Sequence, residues 1–239
     1  MRETLTIVMR MGHLQRLFPL WCLGLVLFAL DLRVALVIAV IYGIMMQFVV
    51  EYVMHRFLYH REPPVEQSAF TALYRTHIGH HEFPNDPEFF TGDDRWFALR
   101  FGLVSFALYS LVLWPFLGIA NALEWSAVAL FLGSVSAYGF YEYCHTLAHL
   151  NVSKGWFGRH VTRSHLAHHY QDHNATFHVS FGAGWVDRLF GTHHDAEKAR
   201  ARYDRSTMMT IGMDPDDLRL VTARKALGLP KETPSHSRS

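Results

Sequence analysis

Four long stretches of this chain carry no charged residue: Leu17–Leu30, Val34–Val50, Phe101–Leu123 and Trp125–Tyr141. A helix of about 20 mostly apolar residues crosses a bilayer, and ~17 can suffice. The third stretch meets that length with Pro115 inside it, the second and fourth reach it, and the first is short. Only Asp31, Leu32 and Arg33 separate the first from the second, so the two read as a tight hairpin. Segments such as "LVLFAL", "VALVIAVIYGIMM" and "FLGSVSAYGF" lack a polar face, which argues against core helices of a soluble protein. Backbone groups in lipid must be satisfied within the segment, and helices do this. The expected fold is therefore all-α and integral to a membrane. Its four transmembrane helices form two hairpins, with spans at about 14–30, 32–52, 98–120 and 123–144.

Arg2, Arg10 and Arg16 precede an apolar run, as they would in a secretory signal. Apolar sequence resumes directly after Arg33 and no small-x-small site closes the run, so an uncleaved anchor is expected. Orientation follows the basic residues. The N-terminus, the segment between the second and third spans (Arg56, Arg61, Arg75, Arg95, Arg100) and the C-terminal segment are rich in them, whereas the opposite loops hold only Arg33 beside Asp31, and Glu124. Both termini and the long middle segment should face the cytoplasm.

The 17 histidines then fall into a pattern. His55 and His60 follow the second span, and His77, His80 and His81 come after them. His145 and His149 close the fourth span, and His165, His168 and His169 come after them. Each half runs apolar hairpin, Glu-Tyr, a histidine pair, a gap, then His-x-x-His-His. This is a duplicated half-site with five imidazoles in each copy. On a helix, residues three and four apart share a face, so His145 and His149 point together, as do the members of each His-x-x-His-His. His55 and His60, five apart, diverge by about 140° on a regular helix. Either the helix ends or bends near Arg56–Tyr59 so that they converge, or the two serve different metals. Ten imidazoles are too many for one ion and suit two.

Neutral imidazole suits zinc, copper, iron and nickel. The metalloprotease pattern His-Glu-x-x-His is absent. Asp93, Asp94 and Asp172 are candidate bridging carboxylates, yet none falls inside the repeat. A site built from neutral histidine stays cationic, and with iron it can activate dioxygen against a C–H bond. Cys22 and Cys144 offer no cysteine-ligated site. The near balance of 22 Lys plus Arg with 21 Asp plus Glu gives no support for a nucleic-acid partner.

The motifs "HRFLYH", "HIGHH", "HTLAH" and "HLAHH" together resemble the integral-membrane fatty acid hydroxylase/sterol desaturase superfamily, and all ten of its histidine positions are met. "WVDRLFGT", Trp185–Thr192, resembles the closing motif of its fatty acid hydroxylases, with Val186 inserted between Trp and Asp. The resemblance spans roughly residues 42–192. It implies a four-helix membrane stalk and a cytoplasmic helical cap (53–97 and 145–192) holding a dimetal site. The metals would be two irons, with zinc as an occupant of isolated protein, and dioxygen the oxidant. Residues 1–192 would form the hydroxylase-like domain and 193–239 a charged extension with a disordered end.

The resemblance also frames the remaining candidates. Many members carry a run ending Phe-Gly after the last histidine pair; here "QDHNATFHVSF" offers Phe177-His178, so His173 and His178 are candidate extra ligands or proton carriers. His193 and His194 are weaker candidates, and His13, His160 and His236 read as incidental. Glu51 and Glu142 sit about one turn before His55 and His145, where a carboxylate could orient a ligand ring. Tyr59 and Tyr170 adjoin ligand histidines. The chain shows no haem domain, dinucleotide fingerprint or iron–sulfur cysteines, so electrons must come from an external reductase. A cytochrome b5-like protein or a ferredoxin is expected to dock on the Arg-rich face. The expected substrate is a membrane lipid, an acyl chain first and a carotenoid ring or sterol second. A metal transporter or store would instead place ligands within the spans.

Overall fold

The computed structural model describes residues 2–30, 34–90, 97–202 and 205–230. The Asp31–Arg33 link, Asp93, Asp94, Arg95, His236 and the expected disordered end fall outside them. Among the described residues every regular element is helical. The first part of the chain holds α1 (Arg2–Met9), α2 (Gly12–Leu30), α3 (Val34–Val53), α4 (Gln67–Leu73), α5 (Gly79–Glu82), α6 (Pro87–Phe90) and α7 (Phe97–Leu117). The second holds α8 (Ile119–Val128), α9 (Val135–His149), α10 (Trp156–Tyr170), α11 (Gly184–Leu189), α12 (Ala196–Arg202), α13 (Arg205–Met208) and α14 (Leu218–Ala226). Three π-helical turns extend these, at Met54–Tyr59 after α3, Tyr74–Ile78 between α4 and α5, and Ala129–Ser134 between α8 and α9.

Four helical runs are long and apolar enough to cross a membrane: Gly12–Leu30, Val34–Tyr59, Arg100–Leu117 and Ile119–His149. At 1.5 Å per residue the second and fourth measure about 39 and 46 Å, more than a ~30 Å hydrocarbon core. Their last turns, which carry His55, His145 and His149, can therefore stand clear of the acyl chains. The break between the third and fourth runs falls at Gly118, earlier than the 120–123 boundary expected. Gly118 adopts φ +72°, a conformation that glycine enters without steric cost, while Ala120, Asn121 and Ala122 simply continue α8.

The chain forms two compact units, residues 1–50 with 93–143, and residues 51–92 with 144–239. In the first, close approach rests on small residues: a Cβ on Gly43 would overlap the Ala129 carbonyl, and one on Gly133 would overlap that of Val40. Ser134 Oγ donates to the Gly43 carbonyl (2.9 Å) and meets Tyr109 Oη at 2.8 Å. Small residues and hydroxyl bonds are how helices associate where lipid offers no hydrophobic drive. Large apolar side chains, among them Ile38, Ile41, Val104, Leu111 and Phe116, are exposed, as lipid contact requires.

His13 is not incidental. It is buried, and its Nε2 lies 3.1 Å from Glu142 Oε1, which also accepts from the Tyr138 hydroxyl at 2.5 Å. Glu142 is thereby engaged within the first unit. A carboxylate buried among apolar helices needs such donors.

In the second unit, Phe70, Leu73, Tyr74, Ile78 and Phe89 form a core with Leu220 and Ala223 of α14. At its centre the guanidinium of Arg224 grips the Glu82 carboxylate through Nε (3.1 Å) and Nη2, and the Tyr74 hydroxyl donates to the same group at 2.5 Å. Arg224 and Glu82 are 1% and 0% exposed. The region after Thr192 is thus more than a charged extension, because part of it completes a core.

Candidate metal centre

The π-helical turn at Met54–Tyr59 resolves the five-residue spacing of the first histidine pair. The His60 N–H bonds the His55 carbonyl at 3.0 Å, an i→i+5 step that wraps one full turn between the two and aligns their side chains. Their ring centroids lie 5.1 Å apart. The turn covers the Arg56–Tyr59 stretch where a bend was expected.

Nine of the ten histidines gather into two groups, within each of which the ring nitrogens lie within 4.8 Å of one another. The first is His55, His60, His77, His81 and His168; the second is His80, His145, His149 and His165. His169 joins the second by contact, its Nε2 3.1 Å from that of His165. The halves therefore do not each keep their own five. The middle member of each His-x-x-His-His crosses over, His168 to the first group and His80 to the second. Helical geometry explains this correction to the single-face reading: adjacent positions such as His80 and His81 diverge by about 100°, so the i and i+4 histidines serve one group and the i+3 histidine the other.

The donor set fits metal ions. Nε2 atoms face one another at 2.8 Å (His60–His77), 3.2 Å (His77–His81), 3.1 Å (His60–His168), 3.0 Å (His80–His145) and 2.8 Å (His149–His165). A neutral imidazole carries one proton. The Nε2 atoms of His60 and His77 each face two neighbours, so single shared protons cannot satisfy the array. The buried Nε2 of His55 has no hydrogen-bond partner, while its Nδ1 donates to the Phe177 carbonyl at 2.6 Å. Burial first, then neighbouring imidazoles, lowers the pKa of His60, His77, His80, His81, His165 and His169 well below 6.5. Neutral rings with free lone pairs are the ligand form.

Main-chain carbonyls, and not carboxylates, orient two of the rings. His55 uses Phe177 O, and His168 Nδ1 donates to Ala175 O at 2.8 Å. Glu51 departs from its expected role: it accepts from the Val179 N–H, the Ser180 N–H (2.9 Å) and Ser180 Oγ (2.6 Å). Helix α3 instead presents this carboxylate to a non-helical segment whose N–H groups need acceptors. Asp187, from the closing motif, holds the same segment. It accepts from the Phe177 N–H (2.9 Å), the His178 N–H (3.0 Å), His178 Nδ1 (2.6 Å) and Thr192 Oγ1 (2.7 Å). Burial pushes the Asp187 carboxyl up, but the bonds from His178 and Thr192 outweigh it and hold it below the usual range. The Thr176 N–H bonds Thr192 O at 2.7 Å, and Thr176 sits at φ +58°, a strained position for a β-branched residue.

The other candidates lie outside the two groups. His178 is engaged by Asp187. His173 is buried and stacks on His60 at 6.2 Å. Asp172 caps the following turn by accepting from the Asn174 N–H at 3.0 Å. Tyr59 stacks on His77 at 5.0 Å, Tyr170 is partly exposed beside His169, His160 packs on Phe181, and His193 is exposed. The residues missed from sequence were the carbonyls of Ala175 and Phe177. Asp187 was visible in the motif, but its bonding was not.

Comparison with known proteins places the fold and the family. A hydroxylase domain of full-length scs7p matches the fold with a TM-score of 0.56 at 22% identity, covering 75% of this chain and 64% of that one. The ceramide very long chain fatty acid hydroxylases of Schizosaccharomyces pombe (scs7) and Saccharomyces cerevisiae (SCS7) are 28% and 29% identical over 64% and 68% of this chain. The dihydroceramide fatty acyl 2-hydroxylase FAH2 of Arabidopsis thaliana is 28% identical over 67% of it. The chain spans about two fifths of the length of the yeast proteins (41% and 40%) and 61% of the plant one. A family model described as fatty acid hydroxylase matches residues 39–192, a stretch holding every histidine of both groups, and the chain belongs to that family.

Proposed function

We propose that the protein is an O2-dependent monooxygenase that hydroxylates a membrane-dissolved acyl chain near its polar end. The observation that carries this reading is the pair of buried, neutral imidazole groups set at the ends of membrane-length helices. The ten ligands would be His55, His60, His77, His81 and His168 for one ion, and His80, His145, His149, His165 and His169 for the other. Two iron ions held there would supply reducing power toward dioxygen and oxidising power toward an aliphatic C–H bond. The chain's own residues do the rest. The helices bury most of both groups, Phe177 O and Ala175 O fix the rings of His55 and His168, and Asp187 and Glu51 hold the segment that carries those carbonyls. Per turnover, dioxygen, two electrons and two protons convert C–H to C–OH and release one water, so an external electron donor is part of the proposal. A cytochrome b5-like protein or a ferredoxin fits the Arg-rich face. The active site and both termini would be cytoplasmic.

The acyl chain is favoured over a carotenoid ring or sterol by the fatty acid hydroxylase match and by the acyl chains named in the relatives. The test is expression with a compatible reductase under 18O-labelled dioxygen, followed by lipid extraction. Label in a 2-hydroxy or 3-hydroxy acyl chain is expected. Label confined to a ring lipid, or oxygen derived from water, would overturn it.

A further inference from the structure

A cavity of about 310 Å³ opens beside the first histidine group, lined by Arg56, Phe57, His60, Arg61, Asn174 and Phe177. Its volume lies at the small end of the range for ligand sites, enough for a lipid head and its first methylenes but not a whole lipid. Its chemistry is cationic. Arg56 is steered into place: Nη1 donates to Tyr52 Oη at 2.5 Å, and the guanidinium lies over the Phe57 and Phe177 rings at 5.0 and 6.0 Å. One bond leaves most of its donors available. Among the described residues neither Arg56 nor Arg61 forms an ion pair with a carboxylate, and Arg61 is exposed at the rim. Asn174 adds an amide, and Phe57 and Phe177 add an apolar wall. His60 closes one side, and its Nε2 faces His77 and His168. Whatever occupies the cavity thus lies directly against a member of the first group.

We propose that this cavity is an anion pocket that seats the carboxylate or phosphate head of the lipid whose chain is oxidised. Guanidinium groups suit both anions, which they bind through forked N–H donors, and Arg56 and Arg61 both line this cavity. The apolar wall accounts for the methylenes beside the head, and seating the head against His60 leaves only nearby carbons within reach of the centre. The inference rests on the lipid-hydroxylase reading and deepens it, because it makes the substrate an acidic lipid. A small concave pocket suits a head group better than the face of a protein, although an acidic electron donor would also seek two arginines.

The test uses the full chain, metal-loaded, in phosphatidylcholine nanodiscs. Equilibrium binding is measured for palmitate, lysophosphatidic acid, monopalmitoylglycerol and inorganic phosphate, against wild type, R61Q, R56Q and R61K. The two acidic lipids should bind wild type at least tenfold more tightly than the neutral glycerol ester. R61Q and R56Q should erase most of that preference, R61K should restore part of it, and all four proteins should keep the same metal content and the same affinity for the neutral ester. Equal affinity for acidic and neutral lipids would overturn the proposal. So would inorganic phosphate binding as tightly as the acidic lipids, which marks a free-anion site. A third contrary result is slower reduction of R61Q by an electron donor with lipid binding unchanged, which assigns the arginines to a protein partner. If the head preference holds while labelled dioxygen never reaches a lipid, the hydroxylase reading fails and the anion pocket stands.

Discussion

His80 and His168 are the two residues on which the division of the histidines into two groups turns. Each leaves its own half of the repeat and completes the other half's group, so each group depends on both copies. Replacing His80 by alanine should therefore deplete the site built by His145, His149 and His165, although His80 is their neighbour only in space. Metal analysis should fall from near two ions per chain towards one, whereas His173→Ala, outside both groups, should keep two. Equal loss in both variants would contradict the grouping. Protonation gives a second check. The ligand rings have folded pKa values below the 6.5 of an exposed histidine, so the unfolded chain binds more protons between those values and stability rises with pH there. The stabilisation is complete above about pH 6.5 and is lost as pH falls towards the folded values. Thermal melts of metal-free protein should drop steeply below pH 6.5, while the H77A/H165A double variant should show a shallower slope.

The elements that hold these side chains are irregular ones, and irregularity is where the sequence was hardest to read. A five-residue histidine spacing demanded a distorted helix end, and the distortion took the form of an i→i+5 turn. The 175–180 segment, by contrast, carried no periodic signal. Its role emerges only because Glu51 and Asp187 collect its N–H groups and leave the Phe177 and Ala175 carbonyls aimed at His55 and His168. The second glutamate of the repeat, Glu142, shares the Glu-Tyr context of Glu51 but serves His13, so the echo in sequence did not carry an echo in bonding. Asp187→Asn keeps the shape and removes the charge. Bonds to a charged group contribute about 1.5–3 kcal/mol each, so a loss of about 2–4 kcal/mol is expected in chemical denaturation. The first group should also lose its ion to a chelator faster than the second, because only the first contains His55 and His168. Identical release from both would show that Asp187 supports the fold without orienting the rings.

Across the whole chain, the membrane helices and the ten histidines were legible because apolar length and repeated spacing are one-dimensional signals. The contribution of residues 193–230 was not, because its composition is charged and a buried arginine looks like a surface one until its partner is known. Arg224 lies in "VTARKALG", which reads as a solvated helix end. Its partner Glu82 follows His81 directly, on the short helix that sends His81 to one group and His80 to the other. Helix α14 therefore clamps, through one ion pair and the Leu220 and Ala223 contacts, the element shared by both metal groups. Removing one partner of a buried pair leaves an uncompensated charge and costs about 3–5 kcal/mol. Arg224→Met should cost that much and lower the occupancy of both groups together, unlike His80→Ala. The double variant R224M/E82L removes both charges, so it should recover much of the stability, since a well-packed apolar replacement of a buried pair is often near neutral. A chain ending at Thr192 should behave like R224M or worse, because it also exposes the Phe70, Tyr74 and Ile78 surface that α14 covers. The measurements are denaturant midpoints and metal per chain for all three. A truncated chain with full metal content and an unchanged midpoint would show that the clamp contributes nothing to the site.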